Sequence, residues 1–130
     1  DPALSLGAEV DDGSVVGHIL FTPVPLYEQP ERRLMALAPM AVAPHHQRRG
    51  VGSALVEAGL ARCRERGVEA VVVLGHPDYY PRFGFLPAAR YGIGCEFDAP
   101  QAAFMVAELV PGALATMSGL VVFPEPFRDV

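Results

Sequence analysis

Gly50 and Gly52, preceded by Gln47-Arg48-Arg49 and followed by Ser53-Ala54-Leu55, are the residues whose types and spacing point most directly to chemistry. The apolar run Leu34 to Ala43 before them reads as a buried strand, and a helix-period pattern follows. A strand, a glycine turn and a helix start together make an anion site. The first helical amides have no internal partner, and the helix dipole adds partial positive charge there. The glycines remove side chains that would keep a phosphate away, and Arg48 and Arg49 add charge. The ligand implied is a phosphate or pyrophosphate. A P-loop is excluded, because it needs a lysine and the chain has none. A dinucleotide fingerprint needs a small residue three positions after Gly52, where Leu55 stands. Taken alone, the hexamer Gln47 to Gly52 fits a capped helix after a tight turn as well as it fits an anion cradle.

The elements downstream break that tie. Leu55, Val56, Gly59, Leu60 and Cys63 form one apolar stripe over a predicted helix from Ser53 to Arg66, and Gly67 suits its end. Ala70-Val71-Val72-Val73-Leu74 is a β-branched run of the kind buried on both faces of a sheet. Strand, helix and strand make one right-handed crossover. The segment Tyr79-Tyr80-Pro81-Arg82-Phe83-Gly84-Phe85 follows.

Gln47-x-x-Gly50-x-Gly52 resembles the acyl-CoA-binding loop of the GNAT acyltransferase superfamily, and Tyr80-x-x-x-Gly84-Phe85 resembles its second signature, in the same order and at suitable separation. The Tyr-Tyr-x-Arg-Phe-Gly-Phe form matches the branch of predicted N-acetyltransferases. The resemblance runs from about Val15 to the end and is strongest over Leu34 to Phe85. It implies an α/β fold: a mixed, mostly antiparallel sheet with a parallel βαβ core unit and splayed central strands, the pantetheine arm of acetyl-CoA lying in the splay. It also implies direct attack of a primary amine, on a small molecule or a protein, on the thioester. Tyr80 would protonate the departing sulfur. Cofactor contacts would come from Ala41, Val42 (whose amide would polarise the carbonyl), Gln47, Arg48, Arg49, Gly50, Val51, Gly52, Ser53 and Phe83. Many relatives carry an Asn after the fifth strand, but this chain has no asparagine and Gly75-His76-Pro77 stands there. The alternative reading is a CoA-binding regulatory or structural module in which Tyr80 only packs.

No general base stands out. Leu34 to Ala43 lacks a carboxylate. Glu28 and Glu31 lie in a proline-marked loop (Pro23, Pro25, Pro30), His45 and His46 near the glycine turn, and His76 after the valine strand. His18 falls in a hairpin strand, where packing neighbours would satisfy it.

Bulk properties suit a single domain over residues 1–130, with 51% hydrophobic content and a net charge of −5. That charge argues against a nucleic-acid surface, and no apolar run reaches membrane-span length. Arginines 32–33 and 62–66 read as solvated faces. Cys63 on the helix stripe and Cys95 in a glycine-rich turn have no metal-ligand or disulfide pattern, as in a cytoplasmic protein. No metal is expected. Leu4 to Val10 and Val15 to Phe21 read as a hairpin across Asp11-Asp12-Gly13. Pro39 denies the Leu34 strand full pairing on both sides. Ala102 to Leu109 and Leu120 to Phe123 read as strands, with a helical turn over 111–116 between them. The family's first strand and two helices have no counterpart before the hairpin. An open hairpin edge is therefore expected, to be covered by further N-terminal residues or by a homodimer.

Overall fold

The computed structural model describes residues 3–9, 15–42, 50–75, 77–95 and 103–122, with the backbone alone for 8–9 and 39–42. The strands are β1 (Leu4–Glu9), β2 (Val15–Leu26), β3 (Gln29–Val42), β4 (Ala70–Leu74), β5 (Leu86–Pro87), β6 (Ile93–Cys95), β7 (Phe104–Glu108) and β8 (Gly119–Val121), and the helix is α1 (Val51–Glu65). They form one sheet in the order β5-β7-β4-β3-β2-β8-β6, with β1 paired to β2. Only β3–β4 and β6–β8 are parallel. The outer edge of β1 carries no strand among the described residues.

α1 packs the expected stripe onto the sheet: Leu55, Val56, Gly59, Leu60 and Cys63 are buried. Beneath it lie Ile19, Phe21, Met35, Leu37, Val71 and Val73. Each fully buried side chain of this size contributes about 1.5–3 kcal/mol. Gly59 sets how close the helix comes, since a Cβ there would stand 2.1 Å from Phe21 Cε2. The helix ends in a Schellman turn, with Val68 N–H donating to Cys63 C=O at 3.0 Å and Gly67 N–H to Arg64 C=O at 3.1 Å. Gly67 takes the left-handed φ of 77° that this requires. The opposite face, with Val24, Leu34, Ala36, Ala70, Val72 and Val106, is covered by the chain that follows β4, through Ala88, Ile93, Leu114 and Met117. β4 is thus buried on both faces, as its composition predicts.

Three expectations are corrected. The proline-marked loop is a hairpin, in which β2 runs to Leu26, Tyr27-Glu28 turn, and Leu26 pairs with Gln29. Pro25 is tolerated because its C=O accepts from Val122 N–H at 3.0 Å on the outer side of β2, where no β1 ladder demands an N–H of it. Cys95 belongs to β6, ordered by pairing with Val121, not to a turn. Arg32 is not on a solvated face. Its guanidinium meets Glu69 at 2.8 Å and donates to the carbonyls of Thr116 at 3.0 Å and Ala113 at 2.9 Å, tying β3 to the C-terminal segment. These bonds hold the Glu69 carboxyl below its ordinary range.

Cys63 is sealed under α1, and burial pushes its thiol from 9.0 up to about 11, against a smaller opposing pull from Arg66. The unfolded chain gives up this proton near pH 9 while the folded chain keeps it. The associated stability is therefore full below pH 9 and lost as pH rises through 11, roughly 3 kcal/mol at most. Tyr80, also raised by burial, acts in the same sense above 10. Urea unfolding at pH 8 and pH 11 should show this fall, and Cys63→Ala should reduce it. An identical fall in both proteins would mean that Cys63 does not contribute to it.

Candidate active site

β3 and β4 stay together only through Leu37 and Val73. Beyond that pair each strand keeps its outer neighbour and leaves the other. β3 continues against β2 up to Val42 opposite Gly17, and β4 continues against β7, with Gly75 N–H donating to Ala103 C=O at 2.9 Å. The register places Ile19 opposite Met40 but Phe21 opposite Leu37, so Ala38 and Pro39 together face the single residue Leu20. This is a β-bulge, a device that bends a strand and turns its peptide groups. Pro39 lies within it, past the last β4 partner, where no second ladder asks for its missing N–H. The expected splay is present.

α1 begins at the same end. Gly50 caps it with φ 82°, a left-handed conformation that glycine takes without strain. The first helical bond runs from Ala54 N–H to Gly50 C=O at 2.9 Å. The amides of Val51, Gly52 and Ser53 therefore have no partner among the described residues, which leaves them for an anion. Gln47, Arg48 and Arg49 lie outside the described residues, as do His45, His46 and His76.

The second motif closes the site. Tyr80–Phe83 makes one helical turn, and Gly84 ends it at φ 94°, which explains the glycine of the motif. Phe85 is fully buried and meets the Tyr80 ring edge-on at 5.6 Å. The Tyr80 ring lies directly over Gly75, where a Cβ would stand 2.6 Å from Tyr80 Cε2. The missing side chain after β4 is thus what admits Tyr80. Tyr80 is 8% exposed, and burial, then Tyr79, raise its phenol above the ordinary value. It is a protonated donor at neutral pH. Phe83 is half-buried and packs edge-on against Tyr79 at 5.3 Å.

Tyr79 was not among the expected site residues. Its hydroxyl lies 3.2 Å from Ser53 Oγ, its ring meets Tyr80 at 5.1 Å, and the Arg82 guanidinium stacks on it at 4.6 Å. It links the helix start to Tyr80, a contact that only the folded crossover creates. Glu31 near the start of β3 and Glu28 in the turn before it stand at the opposite end from Val42, extended spans of about 35 Å and about 45 Å. His18, expected to be packed, is exposed and bonded to Ser5.

Among the described residues no cluster of His, Cys, Asp and Glu is arranged to hold a metal, and no helix is long and apolar enough to cross a membrane. A hollow of about 350 Å³ between Tyr91, Val106, Glu108 and Leu114 lies on the face away from α1.

A family model described as the acetyltransferase (GNAT) family matches residues 1–85. The chain is 37% identical over 125 residues to the uncharacterized N-acetyltransferase YhbS of Escherichia coli K12, covering 96% of this chain and 74% of that protein. It is 48% identical over 89 residues to the uncharacterized N-acetyltransferase YjhQ of the same strain, covering 68% of this chain and 49% of YjhQ. The crystal structure of YhbS in complex with CoA superposes with a TM-score of 0.90 at 36% identity, over 95% of this chain and 68% of that one. A GNAT acetyltransferase from Brucella melitensis in complex with acetyl-CoA gives 0.72 at 33% identity, over 95% and 67%.

Proposed function

The chain belongs to the acetyltransferase (GNAT) family, and we propose that it is an acetyl-CoA-dependent N-acetyltransferase whose acceptor is a primary amine, on a small molecule or a protein. The observation that carries this reading is a convergence at one end of the sheet. The first amides of α1, which have no partner among the described residues, the opening between β3 and β4, and the protonated Tyr80 meet there.

Acetyl-CoA supplies an electrophilic thioester carbonyl and a sulfur leaving group. The amides of Gly50, Val51, Gly52 and Ser53 bind its pyrophosphate, with Gln47, Arg48 and Arg49, just before them in sequence, adding amide and charge. Past the bulge, the Val42 amide polarises the carbonyl, Ala41 lies beside it, and Phe83 flanks the arm. Tyr80 holds its proton at Oη for the sulfur, and its raised pKa keeps that proton in place until charge develops there. Ser53 and Tyr79 fix the distance between anchor and donor.

A panel of primary amines with acetyl-CoA, followed by free-thiol release, tests the reading. Amine-dependent release above the uncatalysed rate is expected for at least one acceptor. Tight CoA binding with no amine-dependent release would leave the non-catalytic CoA-binding module.

A further inference from the structure

The turn Tyr80–Phe83 sets one arginine, Arg82, beside the start of α1. Pro81 near the head of that turn and Gly84 at its end fix the backbone that carries it. Its Nε–H donates to the Tyr79 C=O at 2.8 Å, and its guanidinium lies over the Tyr79 ring at 4.6 Å. Two contacts to one residue thus hold a side chain that is otherwise exposed. The same ring carries the hydroxyl that lies 3.2 Å from Ser53 Oγ. With ordinary covalent dimensions, the guanidinium carbon is at most about 11 Å from Ser53 Oγ, with one aromatic ring joining them. Ser53 N–H is one of the amides with no partner among the described residues. Charge at this end of α1 is uncompensated. No acidic residue stands in the first turn, and no carboxylate meets Arg82 among the described residues. Arg32 is tied to Glu69, and Arg62 and Arg64 lie in the last turn of α1, about 16 Å or more along the helix from Val51. Of the five N–H donors of Arg82, Nε–H is spent on Tyr79, and those of Nη1 and Nη2 bond nothing among the described residues. Those two nitrogens are left to donate side by side to two phosphate oxygens.

We propose that Arg82 is a cofactor-binding residue, donating from Nη1 and Nη2 to the pyrophosphate at the start of α1 with Tyr79 as its support, an assignment that rests on the acetyl-CoA reading above. The helix amides are neutral donors, and Arg82 adds a full positive charge to them. The Tyr79 hydroxyl meets Ser53 and the Tyr79 ring carries Arg82, so one side chain sets the spacing of the two donors. Lysine would serve less well, since an ammonium has no fork to match two oxygens.

Calorimetry with CoA and with dephospho-CoA, which keeps the pyrophosphate and lacks the 3′-phosphate, tests this. Arg82 is exposed, so Arg82→Gln spares the core and should melt with the wild type. It should weaken both ligands by the same factor, roughly tenfold. Arg82→Lys should recover only part of that loss. Added salt should weaken the wild type more steeply than Arg82→Gln, which has one charge pair fewer to screen. Arg62→Gln, exposed at the far end of α1, should bind both ligands as the wild type does. Wild-type affinity in Arg82→Gln overturns the assignment. So does a loss confined to CoA, which would put Arg82 on the 3′-phosphate, and so does an equal loss in Arg62→Gln, which would make the effect one of net charge. In each of those cases CoA binding by the wild type still upholds the acetyl-CoA reading. A wild type that binds neither ligand overturns both.

Discussion

Replacing Tyr80 by Phe should lower turnover about 100-fold while CoA affinity stays within about twofold of wild type. The ring is held on three sides, over Gly75, edge-on to Phe85 and edge-on to Tyr79, and phenylalanine keeps all of those contacts. Only the hydroxyl is lost. Because burial raises this phenol, the folded protein carries the proton throughout the neutral range. The wild-type rate should therefore not decline from loss of this donor below its ordinary value of 10. Thiol-release kinetics and calorimetry on the two proteins separate the roles. Equal turnover would mean that Tyr80 only packs. A large loss of CoA affinity would mean that its hydroxyl serves binding instead of proton delivery.

Gly59→Ala should be among the most destabilising single substitutions in the chain, at about 3 kcal/mol, lowering the melting temperature by roughly 10 °C. The added carbon would stand 2.1 Å from Cε2 and 2.4 Å from Cζ of Phe21, a ring with no exposed surface and no room to retreat. Either α1 lifts from the sheet or Phe21 leaves its rotamer. If α1 lifts, the anchoring amides at its start move with it, so CoA affinity should fall together with stability. The double variant Gly59→Ala, Phe21→Leu should recover part of the loss by vacating the contested volume. Thermal unfolding of the three proteins checks this, and a wild-type melting temperature in Gly59→Ala would show that helix and sheet are not in the close contact described.

The helix stripe and the valine strand were legible in the sequence because each is a local pattern: five apolar positions on one face of α1, and an unbroken β-branched run in β4. The departure of β3 from β4 was implied by the family resemblance, and Pro39, a missing donor, was compatible with it. The same logic misled at Pro23 and Pro25, whose strand is released from β1 pairing by tertiary arrangement that no local pattern records. β5 and β6, two and three residues long, exist only because β7 and β8 lie beside them. Around the candidate site, motif spacing singled out Gly50 and Gly84, which take left-handed turns, and Tyr80, which packs beside Gly84. The Ser53–Tyr79 and Ser5–His18 pairs were not legible, because they depend on register and on how the crossover closes. The hairpin register could have yielded the second pair, since pairing Leu4 with Phe21 brings Ser5 and His18 to one face of the sheet.

In the proposed reading, acetyl-CoA is anchored at the start of α1 and reaches into the gap between β3 and β4. Backbone amide chemical shifts followed during titration with CoA test it most directly. The largest changes should fall on Val51, Gly52 and Ser53, with smaller ones on Val42, Tyr79 and Tyr80, and NAD or ATP at equal concentration should produce weaker changes at the same amides. Changes centred instead on Tyr91, Val106, Glu108 and Leu114, with Val51 to Ser53 unmoved, would place the ligand in the hollow on the opposite face and contradict the assignment.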